Sequence, residues 1–199
     1  MLITRNLCVF GYVETEGASD RTMGGGIQSM QIDTYEAARI GEEDLNAWFK
    51  ANGLCYVSVC QTRETFAPLF SNNLKRPDFL VLLDSLGLIA VDAKNKKPSQ
   101  GELTLELEDE LRRAVAFERV FRMPVWYAYR VELDGKVVWH WINALKAIEV
   151  GKERTNKDNN KPFLAIKLED FEHIESNDDL GKLYTCRMPG LRKVKEISA

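Results

Sequence analysis

The chain has 199 residues, 45% of them hydrophobic and 29% charged, with a net charge of −3 and a pI of about 5.6. That balance suits one domain with a sizeable core and excludes a histone-like protein that binds polyanions by bulk charge, while leaving room for a local basic patch. No apolar run approaches the roughly 18 residues needed to cross a bilayer, and MLITRNLCVFGYVETEG lacks the basic start and long apolar segment of a signal peptide, so a cytoplasmic protein is expected.

Leu7–Val13 reads as a strand. It is followed by ETEGASDRTMGGGIQSM, whose glycines predict a flexible loop over about 14–31. Gly24-Gly25-Gly26 lacks the Lys-Ser/Thr ending of a phosphate-cradling loop, so flexibility is the better reading. Helical periodicity begins at Thr34 and ends at Asn52-Gly53, with Leu45, Trp48 and Phe49 on one face. A strand is expected over Leu54–Gln61, then a loop over Thr62–Lys75. Two strands follow, Phe79–Leu83 and Leu88–Ala93, joined by a turn at Asp84-Ser85-Leu86-Gly87. Leu107, Leu111, Val115 and Phe121 as inward-facing positions predict a helix from about Leu103 to Arg122, stopped by Pro124. VWYAYRV is the next strand, and Asp134-Gly135 turns it into VVWHWI. Trp139 and Trp141 alternate on one face of that strand and read as core rather than as base-stacking residues, with His140 opposite. A short helix at Asn143–Val150, a polar loop GKERTNKDNNK, a strand at Phe163–Leu168 and a helical piece at Glu169–Ile174 complete the pattern, ahead of a packed tail. No CxxC pair occurs among Cys8, Cys55, Cys60 and Cys186, so structural zinc is not expected; reduced thiols are, with a Cys55–Cys60 disulfide left open.

The stretch RPDFLVLLDSLGLIAVDAKNKKP, Arg76 to Pro98, carries the chemistry. It is nearly continuous in apolar residues, yet it begins with Asp78 and ends with Asp92, Lys94, Lys96 and Lys97. Pairing the two strands about a four-residue turn sets Phe79 opposite Asp92 and brings both carboxylates to the open end of the hairpin. Alternation puts Asp92 and Lys94 on one face and Ala93 on the other; a one-residue adjustment at the turn would align Asp78 with Asp92. Opposed carboxylates weaken a sheet, and a hard divalent cation such as Mg²⁺ removes that conflict through oxygen ligands, the Ala93 carbonyl among them. Lys94 beside the ion would orient an attacking water and offset charge growing on phosphorus. A lone Asp-x-Lys is also what a solvated strand end looks like.

Pro77-Asp78 before one apolar strand and Asp92-Ala93-Lys94 on the next resemble the motif of the PD-(D/E)xK nuclease superfamily. GEEDLNAWFKANG is similar to the first core helix of archaeal Holliday-junction resolvases within it, with Glu42 standing 11 positions before Gly53. The resemblance covers about residues 34–131, leaving 132–199 as a C-terminal extension. It implies an α/β, restriction-endonuclease-like core: a central mixed β-sheet flanked by helices, with an extra C-terminal β-hairpin and strand. It also implies hydrolysis of nucleic-acid phosphodiesters, with Glu42, Asp78, Asp92 and the Ala93 carbonyl holding Mg²⁺ (Mn²⁺ able to substitute) and Lys94 assisting the nucleophile. Glu43, and more remotely Glu36, are the other candidates for the helix acid. Relatives often carry a glutamine on the second core helix; ELEDELRRAVAFERVF offers none, so a fifth position stays unassigned.

Lys75, Arg76, Asn95, Lys96 and Lys97 surround the motif, and Arg112 and Arg119 share a helix face; these are the candidate phosphate contacts. The expected partner is DNA, branched or structured forms included, bound by a homodimer because cutting two strands needs two sites. A silent nuclease-fold module that binds nucleic acid or protein, and an RNA-processing nuclease, are the alternatives.

Overall fold

The computed structural model describes residues 25–61, 74–84, 86–133 and 135–186. The expected strand at Leu7–Val13, most of the glycine-rich segment and most of the loop at Thr62–Lys75 lie outside them. Helix α1 (Gly25–Ala51) already includes Gly25 and Gly26 and runs straight through Thr34, which therefore does not cap it. Gln28, Met30 and Gln31 are good helix formers and carry the helix across the segment expected to be loop. At the other end Gly53 takes a positive φ of 67°, a conformation glycine adopts freely, and this lets the Leu54 N–H bond back to the Phe49 carbonyl at 3.0 Å.

The central sheet has six strands in the order β1-β2-β3-β5-β6-β9. These are β1 (Cys55–Ser58), β2 (Phe79–Leu83), β3 (Gly87–Asn95), β5 (Val125–Leu133), β6 (Lys136–Asn143) and β9 (Glu172–Ile174). Only β3 and β5 pair in parallel; every other neighbouring pair is antiparallel. The mixed α/β architecture with a central sheet between helices is as the sequence implied. One face of the sheet is covered by α1 and the short helix α4 (Lys182–Cys186), with Leu45, Phe49, Val91, Trp126, Trp139 and Trp141 in the core between them. Both strand tryptophans are thus core residues, as their alternation suggested. The other face is covered by α2 (Arg113–Phe121), α3 (Ala144–Val150) and a second antiparallel sheet, β4-β8-β7.

Three corrections concern the second half of the chain. The expected helix at Leu103–Arg122 is divided: β4 (Glu102–Glu106), a π-helical turn (Leu107–Arg112) and then α2. In β4 the fully buried Leu103 and Leu105 alternate with polar neighbours, a period of two that also satisfied the helical stripe 103-107-111. The polar loop contains β7 (Lys152–Thr155), and the helical piece at 169–174 is a 3₁₀ turn (Leu168–Asp170) leading into β9. Both strands have too little apolar character to announce themselves; each forms because a committed strand, β8 (Pro162–Lys167) or β6, offers it an unpaired edge.

Candidate active site

The turn between β2 and β3 decides the site's register. Leu83 pairs with Gly87, so the loop holds three residues rather than four, and Gly87 closes it at φ 98°. Phe79 therefore pairs with Val91, one residue off the simple expectation, in the sense that brings Asp78 toward Asp92. β2 ends there while β3 continues to Asn95, held only by β5, where Asp92 faces Tyr127 and Lys94 faces Tyr129. This leaves a notch beside β3. The Asp78 carboxylate fills it by accepting the Ala93 N–H at 2.8 Å, replacing the ladder acceptor that β2 no longer supplies. The charges at the two ends of the apolar run therefore meet at one fork of the sheet.

Asp92 is buried, and each of its oxygens faces an ammonium: Lys75 Nζ lies 3.1 Å from Oδ1, and Lys94 Nζ 2.7 Å from Oδ2. The second contact is an ion pair without hydrogen-bond alignment. Glu110 Oε2 closes the ring by accepting from Lys94 at 2.6 Å and from Lys75. Burial alone would lower the pKa of Lys94, but the charges of Asp92 and Glu110 hold it well above the lysine range. Burial pulls Glu110 upward, yet Lys94 and Lys75 bring it down to about 2. Asp78 is raised well above the carboxylate range, first by burial and then by the charges of Asp92 and Glu42. Glu42 is raised in the same way, by burial and then Asp92, with Lys94 and Lys75 opposing. The Tyr127 hydroxyl, buried beside this cluster, has no hydrogen-bond partner among the described residues, and Lys94 Nζ stands 5.7 Å from the centre of its ring.

Glu42 is half-buried at the start of the stripe that continues through the fully buried Leu45 and Phe49. Glu43 and Glu36 point outward, both bound to Arg39. The sequence-derived phosphate contacts separate into groups. Lys75 belongs to the ion ring. Arg76 is buried, donating to the Cys60 carbonyl, and Asn95 Nδ2 donates to the Ala37 carbonyl at 2.8 Å, tying β3 to α1. Lys96 reaches the Thr104 carbonyl at 3.3 Å, and burial followed by the Lys94 charge lowers its pKa. Lys97 and Arg119 are exposed; Arg112 is exposed and pairs with Glu108 at 2.8 Å. His140 faces away from the tryptophans, and its Nδ1 has no hydrogen-bond partner among the described residues. Cys55 and Cys60 are exposed, and the disulfide left open between them is not formed.

Glu110 is the residue that sequence reasoning missed. It lies three residues after Leu107 and four before the buried Ala114, so it stands on the inward stripe of its own segment. A carboxylate on an apolar stripe was the available signal.

The residues suit a hard divalent cation. Glu42, Asp78 and Asp92 are all oxygen donors, and the first two are destabilised by the charge of the third, the conflict that an added cation relieves. Among the described residues, no three acidic, His or Cys side chains stand as a ready ligand set, and both Asp92 oxygens face ammoniums. No helix is long and apolar enough to cross a membrane among the described residues. No family model matches the chain, and no curated protein does. Among solved structures the chain is similar to Archaeoglobus fulgidus Hjc, a Holliday junction resolvase, at 16% identity and a TM-score of 0.45 over 72% of this chain and 95% of that one.

Proposed function

We propose that this protein is a Mg²⁺-dependent endonuclease of the PD-(D/E)xK type, hydrolysing phosphodiester bonds in DNA, with branched or structured duplexes among its substrates. The observation that carries the reading is the fork itself. Asp78 bonds to the β3 backbone at Ala93, between Asp92 and Lys94, and the Glu42 carboxyl feels the charge of Asp92 across from it. Burial and the charge of Asp92 raise both Glu42 and Asp78, a conflict that an added cation relieves.

In this reading Glu42, Asp78, Asp92 and the Ala93 carbonyl hold the ion, which supplies Lewis-acid neutralisation of a phosphoryl oxygen. Lys94 keeps its proton at Nζ, and that ammonium orients the attacking water and offsets the developing negative charge. Lys96, Lys97 and Arg119 remain as contacts to the sugar-phosphate chain, and two copies are needed to cut two strands, which makes the working form a homodimer.

A silent binding module is the rival, favoured by one observation: the ring of Asp92, Lys75, Lys94 and Glu110 is electrostatically complete by itself. Calorimetry with Mg²⁺ and Mn²⁺ separates the two. Binding that Asp78→Ala and Asp92→Ala abolish is expected; its absence in the wild type ends the nuclease reading. Plasmid, branched duplex and structured RNA, incubated with Mg²⁺ or EDTA, should show metal-dependent cutting of DNA that Lys94→Ala lowers by about 10²-fold or more, the scale of losing an electrostatic group at the transition state. Cutting confined to the RNA would make the protein an RNA-processing enzyme, and equal cutting by folded Lys94→Ala would remove the assigned site.

A further inference from the structure

The ion ring assigns a role to Lys75 and Glu110, and this inference rests on the metal-site reading above: we infer that the Lys75 ammonium is the resident counter-ion of the acidic cluster, standing where the divalent cation binds, and that Glu110 receives it when the cation arrives. Lys75 Nζ is already 3.1 Å from Asp92 Oδ1, the oxygen that Lys94 does not cover. A metal ligated through that oxygen would sit against a like charge, so the ammonium must leave.

Lys75, rather than Lys94, is the side chain free to go. Lys94 springs from β3, in register with Tyr129 of β5, and lies over the Tyr127 ring. Lys75 springs from the irregular segment before β2, outside any strand ladder, where its own backbone N–H bonds to the Arg113 carbonyl at 3.3 Å. Its second acceptor, Glu110, lies at the π-helical turn, outside the β3 ladder. The displaced ammonium thus keeps one full ionic partner, which reduces the cost of opening the site. The cluster also stays closer to neutral in both states: four carboxylates (Glu42, Asp78, Asp92, Glu110) face two ammoniums without metal, and two further charges arrive with it. The sequence pointed to Lys75 as a phosphate contact; the structure gives it an intramolecular task.

Two measurements test this. Amine-reactive labelling of the wild-type protein, read by mass spectrometry, should increase severalfold at Lys75 on adding saturating Mg²⁺, while Lys94 stays protected. Unchanged or reduced labelling of Lys75 in protein that binds Mg²⁺ overturns the inference and leaves the metal site standing. Calorimetry should show Lys75→Met binding Mg²⁺ about tenfold tighter than the wild type, with a lower melting temperature in EDTA and a larger upward shift on adding Mg²⁺. Binding by Lys75→Met that is equal or weaker refutes the proposal. Metal binding by neither protein removes both the inference and the nuclease reading. In the double-mutant cycle, Glu110→Gln should weaken binding in the wild type and change nothing in Lys75→Met. Equal weakening in both would make Glu110 a direct ligand, contrary to the role assigned here.

Discussion

His140 shows how a single buried group makes stability depend on pH. Its ring packs on Phe171 and His173, and among the described residues Nδ1 has no hydrogen-bond partner. Burial, followed by the neighbouring His173 charge, depresses its pKa below the usual 6.5. The unfolded chain therefore takes up the proton more readily than the folded one, and the difference in bound protons makes stability fall as pH drops. The contribution of the neutral ring is full above about 6.5 and is lost as pH falls toward the folded value. Urea unfolding at pH 7.5 and pH 5.5 should show a smaller loss for His140→Phe than for the wild type. Identical losses would mean that other carboxyl or histidine groups govern that range. Asp78, Asp92 and Lys94 were legible in the sequence because charge at the end of an apolar run is conspicuous. Glu110 was not, because a helix rich in Glu and Arg resembles an ordinary solvated surface until its packing is known.

Among elements, the closest approach that matters is α1 against β3. A Cβ placed on Gly41 would stand 3.0 Å from the Asn95 Cβ, and Asn95 in turn bonds to the Ala37 carbonyl. Glycine here serves proximity and not a special backbone conformation, and it sets how near Glu42 comes to Asp92. Gly41→Val should cost about 1–3 kcal/mol in urea unfolding through overpacking. It should also weaken Mg²⁺ binding, because the helix carrying Glu42 must move outward. Unchanged stability would show that α1 slides freely. The elements legible in the sequence were those with a clear apolar pattern: β1, β2, β3, β5, β6, β8, α3 and α1 beyond Thr34. The strands β4, β7 and β9 were missed for one physical reason. Each is completed by pairing with the edge of another strand, and their own residues specify no fixed state without it.

For the whole molecule, the two cores lie on opposite faces of one sheet. Alternate residues of β5 feed each: Trp126 and Ala128 one side, Tyr127 and Tyr129 the other. Neither face can melt without freeing the strand that supports both, so a single cooperative transition is expected. Leu45→Ala and Leu111→Ala, each removing a fully buried side chain on a different face, should each cost about 2–5 kcal/mol. Far-UV circular dichroism and tryptophan fluorescence should follow the same midpoint in both variants. A Leu111→Ala midpoint that drops in circular dichroism while the fluorescence transition stays in place would reveal two units. In that case the buried tryptophans, which all lie on the α1 face, would report only their own half.

The sequence by itself determined the mixed α/β character, the central strands, the Trp139 and Trp141 core positions and the placing of acids and a lysine at the ends of one apolar hairpin. Each of these follows from local periodicity and residue chemistry. Only the tertiary structure decided the register that brings Asp78 to the β3 backbone, the enlistment of Lys75 and Glu110 and the second sheet. A three-residue turn, the early end of β2 and the pairing of weak strands with strong ones are set by which distant segments meet, and no window of neighbouring residues records that.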